Sequence, residues 1–257
     1  GGDGFARVVR DPGSSPEGAT AAAQDALAKG AKLILGPLFA TSVEAMAPAA
    51  RAAGVNVIAF SNDRAVAGNG VFVVGLGPRP QIQRLVGYAV SQALTRFAVL
   101  APDTPYGAAV VEATREMVTS TGAVLTRVVL YKPDAADLSP EARSLADYDS
   151  RHQALLAQRQ LLAARGDEAA TLALKRLDGL ETLGPPDFQA VILPDGGARL
   201  QAVAPLLAYF DVDPAEIRFL GTAQWDDPEL GSEPALQGGW FTAPPPALWA
   251  TFRERYQ

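Results

Sequence analysis

Short apolar runs alternate with segments of helical periodicity along most of this chain. The runs at 33–35 and 55–60 are too short for helices and are mostly apolar, which is typical of parallel strands buried on both faces. The same pattern predicts further strands at 5–10, 71–74, 97–101, 124–131, 188–193, 217–220 and 239–242. The run at 124–131 alternates poorly and is expected to be buried. Because helices are predicted between successive strands, the sequence indicates an α/β fold built on parallel sheets.

Capping residues and glycines mark the ends of the predicted helices. Ser15 as N-cap and Pro16 as first residue introduce a helix at 17–29, and Gly122 ends a helix at 108–120. Thr41 and Glu44 have the spacing of a capping box, so the helix after the first apolar run is expected to begin there. Pro48 is expected to kink or split that helix. Other helices are predicted at 81–94, 198–209 and 247–257.

Proline and glycine divide the chain into two predicted lobes. Residues 75–80 contain two glycines and two prolines, and we expect this stretch to break the helix pattern and form the first crossing between lobes. Residues 243–246 are expected to form a second crossing. The predicted domains are therefore residues 1–78 for lobe 1 and 79–240 for lobe 2, with 241–257 returning to lobe 1.

The segment 139–183 interrupts the alternation of strands and helices, because it is charge-dense and has no strand pattern. We predict one or two exposed helices with a break near Gly166. His152 lies in this insertion and is interpreted as a surface residue rather than a catalyst.

Composition excludes several classes of function. The net charge is −6 and the sequence contains no block of lysine or arginine, so no nucleic-acid partner is expected. The chain has no cysteine and one histidine, which excludes thiolate nucleophiles, disulfides and the usual zinc clusters. No metal or other cofactor is predicted. No apolar run is long enough to span a membrane, and no signal segment opens the sequence.

No motif for an enzyme is complete. Gly75 and Gly77 do not form a dinucleotide fingerprint, because the third glycine is absent, and neither a Walker lysine nor a serine with a histidine base is present. Asp103, Asp195 and Asp226 follow predicted strands, so the spacing alone leaves hydrolysis by paired carboxylates open. With no motif in support, we predict that the protein is not an enzyme.

Polar residues follow the first two strands of lobe 1. Thr41 and Ser42 come after the first strand, and Ser61 and Asn62 come after the second. Parallel strands place such residues at the edge of the sheet where helix N-termini bind ligands, so they are candidates for holding a small polar molecule. The alternative is that they only cap and turn the chain.

Four stretches carry a resemblance to a known family: residues 33–42, 59–62, 103–107 and 219–221. They resemble the extracytoplasmic solute-binding proteins of the type I periplasmic-binding fold, in the leucine/isoleucine/valine-binding group. Within that fold, the insertion, residues 188–197 and the stretch 225–228 are most similar to the lipoproteins called penicillin-binding protein activators.

The resemblance implies two lobes joined by three hinge strands, with a cleft that closes on a ligand. By position, the four polar residues of lobe 1 would hold a carboxylate, and Tyr106 would cover it from lobe 2. Amino-acid binders of the group also place an acid after the strand at 217–220, where this chain has Gln224 and Trp225 instead. Asp195 or Asp226 would then have to receive a ligand ammonium. The implied ligand-binding residues are Thr41, Ser42, Ser61, Asn62, Tyr106, Asp195, Gln224 and Trp225.

The resemblance also implies that the chain is a fragment, since the family has a strand before residue 5 and further lobe 1 structure after residue 257. Two functions follow. The first is a periplasmic protein that binds an amino-acid-like solute for a membrane ABC permease. The second is an activator lipoprotein, anchored by a lipid outside this chain, that contacts a peptidoglycan synthase. A repressor of this fold would need a helix-turn-helix module, for which the sequence has no pattern.

Overall fold

The computed structural model describes residues 6–11, 13, 15–75, 77–245 and 254–255. The chain divides into two compact units, Gly1–Pro78 and Arg79–Gln257. Each unit has its own sheet, and every strand pair in both sheets is parallel, as predicted. Among the described residues, no helix is long and apolar enough to cross a membrane.

The first unit is a three-stranded sheet in the order β1-β2-β3. The strands are β1 (Leu33–Leu35), β2 (Asn56–Ala59) and β3 (Val71–Val73), and the helices are α1 (Pro16–Ala28) and α2 (Ala40–Ala52). Alanines of α1 and α2 pack on Val57, Ala59 and Val71, which alternate along their strands to face the helices. The described residues of the predicted first strand, 6–10, are not in a strand, so that prediction is wrong.

The other face of this sheet is apolar and exposed. Leu35 pairs in register with Ile58, and Ile58 pairs with Phe72, so the three side chains form a row across the strands. Leu35 is 65% exposed and Phe72 is 57% exposed, while Ile58 is half-buried between them. The core of the first unit therefore lies on one side of its sheet.

The beginnings of the two helices in this unit test the capping predictions. Ser15 accepts a hydrogen bond from the Gly18 N–H and precedes Pro16, which confirms the predicted start of α1. The capping box at Thr41 and Glu44 is wrong, because α2 begins at Ala40 and no side chain caps it. Thr41 thus lies inside the first turn. α2 also continues through Pro48 without being split.

The second unit has five strands in the order β5-β4-β6-β7-β8. They are β4 (Arg96–Pro102), β5 (Val124–Tyr131), β6 (Ala190–Leu193), β7 (Arg218–Gly221) and β8 (Trp240–Phe241). The helices are α3 (Pro78–Ser91), α4 (Pro105–Thr121), α5 (Ser139–Leu145), α6 (Tyr148–Arg165), α7 (Glu168–Leu177) and α8 (Gly197–Tyr209). Alternate residues of β4 enter two separate cores, Ala98 and Leu100 in one and Phe97 and Val99 in the other.

Two sequence predictions for this unit need correction. α3 begins at Pro78 and includes Pro80, so the stretch 75–80 does not end helix formation. Both prolines are in the first turn, where the N–H groups that proline lacks have no helical partner. The strand at 124–131 is not fully buried, because β5 pairs only with β4 at the edge of the sheet and most of its residues are half-buried.

The insertion at 139–183 forms three helices, α5 to α7, so the prediction of one or two helices is wrong. The predicted break is confirmed, because α6 ends at Arg165 with Gly166 in the left-handed conformation. Arg151 of α6 is 8% exposed, and its guanidinium donates to the carbonyl oxygens of Ala146, Gly184 and Asp211. These bonds join the insertion to the segments that follow it.

The end of the chain leaves one prediction open. Trp240 and Phe241 pair with β7 in the second sheet. The predicted closing helix at 247–257 lies outside the described residues except for 254–255. The return of residues 241–257 to the first lobe stays a prediction.

Candidate functional site

The strand order of the second sheet reverses at β4. β4 lies between β5 and β6, so the chain passes from β4 to β5 on one side and then to β6 on the other side. Ligands of open α/β sheets bind outside the carboxyl ends of the strands at such a reversal of order. The loops that follow β4, β6 and β7 carry Tyr106, Asp195 and Gln224. We call these three loops the second-unit tip.

Tyr106 lies in the first turn of α4, directly after β4. Thr104 is the N-cap of that helix, and its hydroxyl accepts from the Gly107 N–H at 3.1 Å. The turn is tight, since a Cβ at Gly107 would lie 1.9 Å from the Pro102 carbonyl oxygen. The strand, the tight turn and the helix cap together fix the position of Tyr106 at the start of α4.

The Tyr106 hydroxyl bonds to the loop after β7. It donates to Thr222 Oγ1 at 3.2 Å, and Thr222 is fully buried. Burial raises the pKa of Tyr106, while hydrogen bonds with Thr222 and Gln224 oppose that rise. The phenol is therefore neutral at physiological pH. The structure thus joins two of the residues that the sequence predicted, Tyr106 and Gln224.

Asp195 follows β6 and is half-buried. Its Oδ2 atom is shielded from solvent and has no hydrogen-bond partner among the described residues. Burial raises the pKa of its carboxyl to about 6, against a weaker opposing effect of Arg199. The Arg199 guanidinium itself donates to the carbonyl oxygens of Ala135 and Pro133. Asp195 also raises the pKa of Tyr106, which shows that the two groups interact.

Trp225 supports the second-unit tip from below. It is 5% exposed, and its indole Nε1–H donates to the Leu193 carbonyl oxygen at 3.0 Å. The ring occupies the place of a side chain at position 221, because a Cβ on Gly221 would lie 2.1 Å from it. The structure places Trp225 in the core, so among the predicted site residues its contribution is to position its neighbours. Asp226, the other predicted substitute acid, is exposed.

Gln81 lies outside the three loops but bonds to the second-unit tip, and the sequence did not indicate it. It lies in α3, and its Oε1 atom accepts from the Ala223 N–H at 2.7 Å and from the Thr242 hydroxyl at 3.1 Å. Its partners are 142 and 161 residues away in the sequence. No local pattern in the sequence could have identified it.

The first unit has a polar tip of its own at the carboxyl ends of β1 and β2. Ser42 is 1% exposed in the first turn of α2, and its Oγ atom has no partner among the described residues. Thr41 and Asn62 are exposed. Ser61 is buried, and its hydroxyl accepts from the Asp63 N–H at 3.1 Å. Ser61 therefore turns the chain, and Ser42 is the unsatisfied group.

The two tips differ in the chemistry that they offer. The N-terminus of α2 has free N–H groups and a partial positive charge, which favour an anionic group. The second-unit tip has a carboxylate and hydroxyls, which favour a cation or a neutral donor. Among the described residues, no cluster of histidine and acidic side chains could hold a metal ion.

Comparison with known proteins gives one family and several similar folds. A family model described as periplasmic binding protein matches residues 2–256. The leucine binding protein LivK of Thermotoga maritima is 16% identical with a TM-score of 0.59, over 95% of this chain and 63% of that one. An extracellular ligand-binding receptor of Verminephrobacter eiseniae is 18% identical with a TM-score of 0.61, over 92% and 59%.

A third similar structure is a solute-binding protein of an ABC transporter from R. palustris in complex with 4-hydroxybenzoate. It is 13% identical with a TM-score of 0.58, over 86% of this chain and 52% of that one. The chain therefore spans between about half and two thirds of the length of these structures. At these identities the similarity is one of fold.

Proposed function

The chain belongs to the periplasmic binding protein family and has its type I fold, and we propose that it binds a small amino-acid-like solute outside the cytoplasm for an ABC transporter. The family consists of binding proteins, and the proposed role is not enzymatic. The ligand class is proposed from the resemblance of the sequence and from the carboxyl group of Asp195, and the transporter from the similar structures.

The observation that carries the proposal is the buried Oδ2 atom of Asp195, which has no partner among the described residues. A buried carboxylate without a partner is costly, and a bound cation or donor would remove that cost. An ammonium is the simplest ligand group that does so. Tyr106 and Gln224 lie beside it and offer further hydrogen bonds.

The first-unit tip, taken by itself, offers donors to an anionic group. A ligand carboxylate would accept from the free N–H groups of α2 and from the Ser42 hydroxyl, whose Oγ atom is buried without a partner among the described residues. Thr41, Ser61 and Asn62 would line the same edge. The assignment of all four residues to one ligand stays a prediction from the sequence.

Two of the similar structures bind different molecules, since one is a leucine binding protein and another holds 4-hydroxybenzoate. Asp195 favours the first kind of ligand at the second-unit tip. An aromatic acid that placed its carboxylate there would face a like charge, which disfavours binding. The ligand class can therefore be tested with probes that differ only in the amine.

The test is thermal unfolding with L-leucine, 4-methylpentanoate and 4-hydroxybenzoate, followed by calorimetric titration. 4-Methylpentanoate is leucine without its amine. We expect leucine to stabilise the protein by about 2.7 kcal/mol at a hundred times its Kd, and 4-methylpentanoate to have little effect. Asp195→Asn should weaken leucine binding at least tenfold, while Asp226→Asn, on the same edge but exposed, should not.

Two results would contradict this proposal. If 4-hydroxybenzoate binds and leucine does not, the protein is a solute binder of another class. If no member of a wider panel of amino acids and short peptides stabilises it, the solute-binding role itself is wrong.

A second candidate function is the activator lipoprotein, and the exposed helical insertion favours it. Leu161 on α6 is 65% exposed and Leu172 on α7 is 53% exposed, and these are the apolar side chains of the two helices that a partner protein could contact. A depression of about 600 Å³ lies between these helices.

The test uses point substitutions rather than deletion of the insertion, because Ala142, Leu145 and Leu155 of the insertion are part of the core. The pair Leu161→Glu and Leu172→Glu should abolish capture of a peptidoglycan synthase from membranes if the activator function is correct. The matched control is Tyr209→Glu, which changes an exposed apolar side chain outside the insertion. Equal capture by all variants would exclude this surface.

A further inference from the structure

Gln81 is bound to two segments that are distant from it in sequence and adjacent to the proposed site. Its Oε1 atom accepts from the Ala223 N–H in the loop after β7 and from the Thr242 hydroxyl just after β8. A backbone N–H can only donate, so the atom that faces it is the carboxamide oxygen. One oxygen of α3 thus fastens the ends of two neighbouring strands.

The bond to Ala223 satisfies an N–H in the first turn of the short helix that follows β7. Ala223–Trp225 is a short 3₁₀ helix with Thr222 as its N-cap residue, and threonine commonly caps such a turn with its own hydroxyl. The Thr222 side chain makes no capping bond here. Its hydroxyl accepts from Tyr106 instead. Ala223 is the first residue of this helix, and Gln81 satisfies its N–H.

The second bond reaches the exit of β8. Thr242 is buried, and its N–H donates to the Gly221 carbonyl oxygen at 3.2 Å, which extends the pairing of β7 and β8. Gln81 is also three residues from Pro78, the last residue of the first unit. The same oxygen therefore ties the segment where the chain enters the second unit to the segment that leaves its last strand.

We propose that Gln81 is a positioning residue for the solute site: by accepting from the Ala223 N–H and the Thr242 hydroxyl it fixes the loop that holds Thr222 and Gln224 beside Tyr106. This inference rests on the proposed solute-binding function. Without Gln81, the Ala223 N–H and the Thr242 hydroxyl would lose their acceptor, and the loop that carries Thr222 and Gln224 would be held less firmly beside Tyr106. Binding would weaken although Gln81 touches no ligand.

The first measurement needs no ligand. In Gln81→Ala, the Ala223 amide should exchange with solvent at least tenfold faster by NMR, because its acceptor is gone. Gln81→Glu keeps an acceptor at the same reach and should restore slow exchange. Gln83→Ala removes an exposed glutamine from the same helix and should change nothing. Unchanged exchange in Gln81→Ala would overturn the inference.

The second measurement is the Kd for L-leucine. Gln81→Ala should raise it about tenfold, and Gln81→Glu should bring it back to within threefold of the wild-type value. In a Tyr106→Phe background, Gln81→Ala should raise the Kd much less than it does in the wild type, because both changes disturb the same contact between Tyr106 and Thr222. A merely structural Gln81 would give equal losses in both backgrounds.

The outcomes separate this inference from the proposed function. If leucine binds the wild-type protein and Gln81→Ala binds equally well, the inference is wrong and the solute-binding function stands. If wild-type protein binds no probe in the amino-acid panel, the proposed function is wrong and the inference fails with it.

Discussion

Asp195 should make the free protein less stable at neutral pH, and replacing it with asparagine should reveal by how much. Burial raises the pKa of its carboxyl from 3.8 to about 6. Below about pH 4 the group is protonated in both the folded and the unfolded chain, so it costs nothing. Between about pH 4 and pH 6 the folded state holds the proton more tightly, and stability falls as pH rises. Above about pH 6 the whole cost is present.

The size of that cost follows from the shift. About two pKa units correspond to about 3 kcal/mol at about 1.36 kcal/mol per unit. Because Asp195 is only half-buried, solvent screens part of this, and we expect about 1–2 kcal/mol. Asp195→Asn keeps the shape of the side chain and removes the charge. The free energy of unfolding of Asp195→Asn relative to wild type should therefore rise by about 1–2 kcal/mol as the pH is raised from 4 to 8.

The assay is urea unfolding of both proteins at pH 4, 5, 6, 7 and 8, without ligand. In thermal unfolding, the same gain in stability would appear as a rise in Tm of about 2–8 °C for a unit of this length. Asp226→Asn, an exposed change on the same edge, should show no such dependence on pH. The reasoning is refuted if the stability difference between Asp195→Asn and wild type is the same at pH 4 and pH 8. The reasoning is also refuted if Asp195→Asn becomes less stable relative to wild type as the pH rises.

Two further changes test the packing that positions the site. Gly221→Ala should destabilise the second unit by about 2–4 kcal/mol in urea unfolding, because the new Cβ would lie 2.1 Å from the Trp225 ring. Gly231→Ala meets nothing within 4 Å and should be nearly neutral, and equal effects of the two would contradict a tight contact at position 221. Arg151→Ala should cost about 3 kcal/mol in the same measurement, since it removes the donor of the buried bond to Ala146 and of the part-buried bonds to Gly184 and Asp211. Arg143→Ala, a change at an exposed arginine, should cost less than about 1 kcal/mol.

The sequence predicted most strands and helices because their signals are local. Ser15 and Pro16 mark the start of α1, and Gly122 ends α4 in the left-handed conformation that glycine favours. The capping box at Thr41 failed because the helix begins two residues earlier, with Phe39 as its N-cap residue. Nothing in the sequence pattern at that point distinguishes the two starts.

Burial and long-range bonds were beyond local patterns. The β5 run has the same apolar character as a central strand, and only the order of strands in the sheet places it at the edge. The sequence named Asp195, but the isolation of its Oδ2 atom depends on packing around it. Gln81 was missed because its two partners come from loops more than 140 residues away.

The one-sided core of the first unit has a consequence for how the protein unfolds. Leu35, Ile58 and Phe72 form an apolar row that stays partly in contact with water, whereas the strands of the second sheet contribute to cores on both faces. A parallel sheet gains most of its stability when both faces are covered. Under native conditions, amides of β1 to β3 should therefore open and exchange as a separate cooperative unit, at a lower free energy than those of β4 and β6.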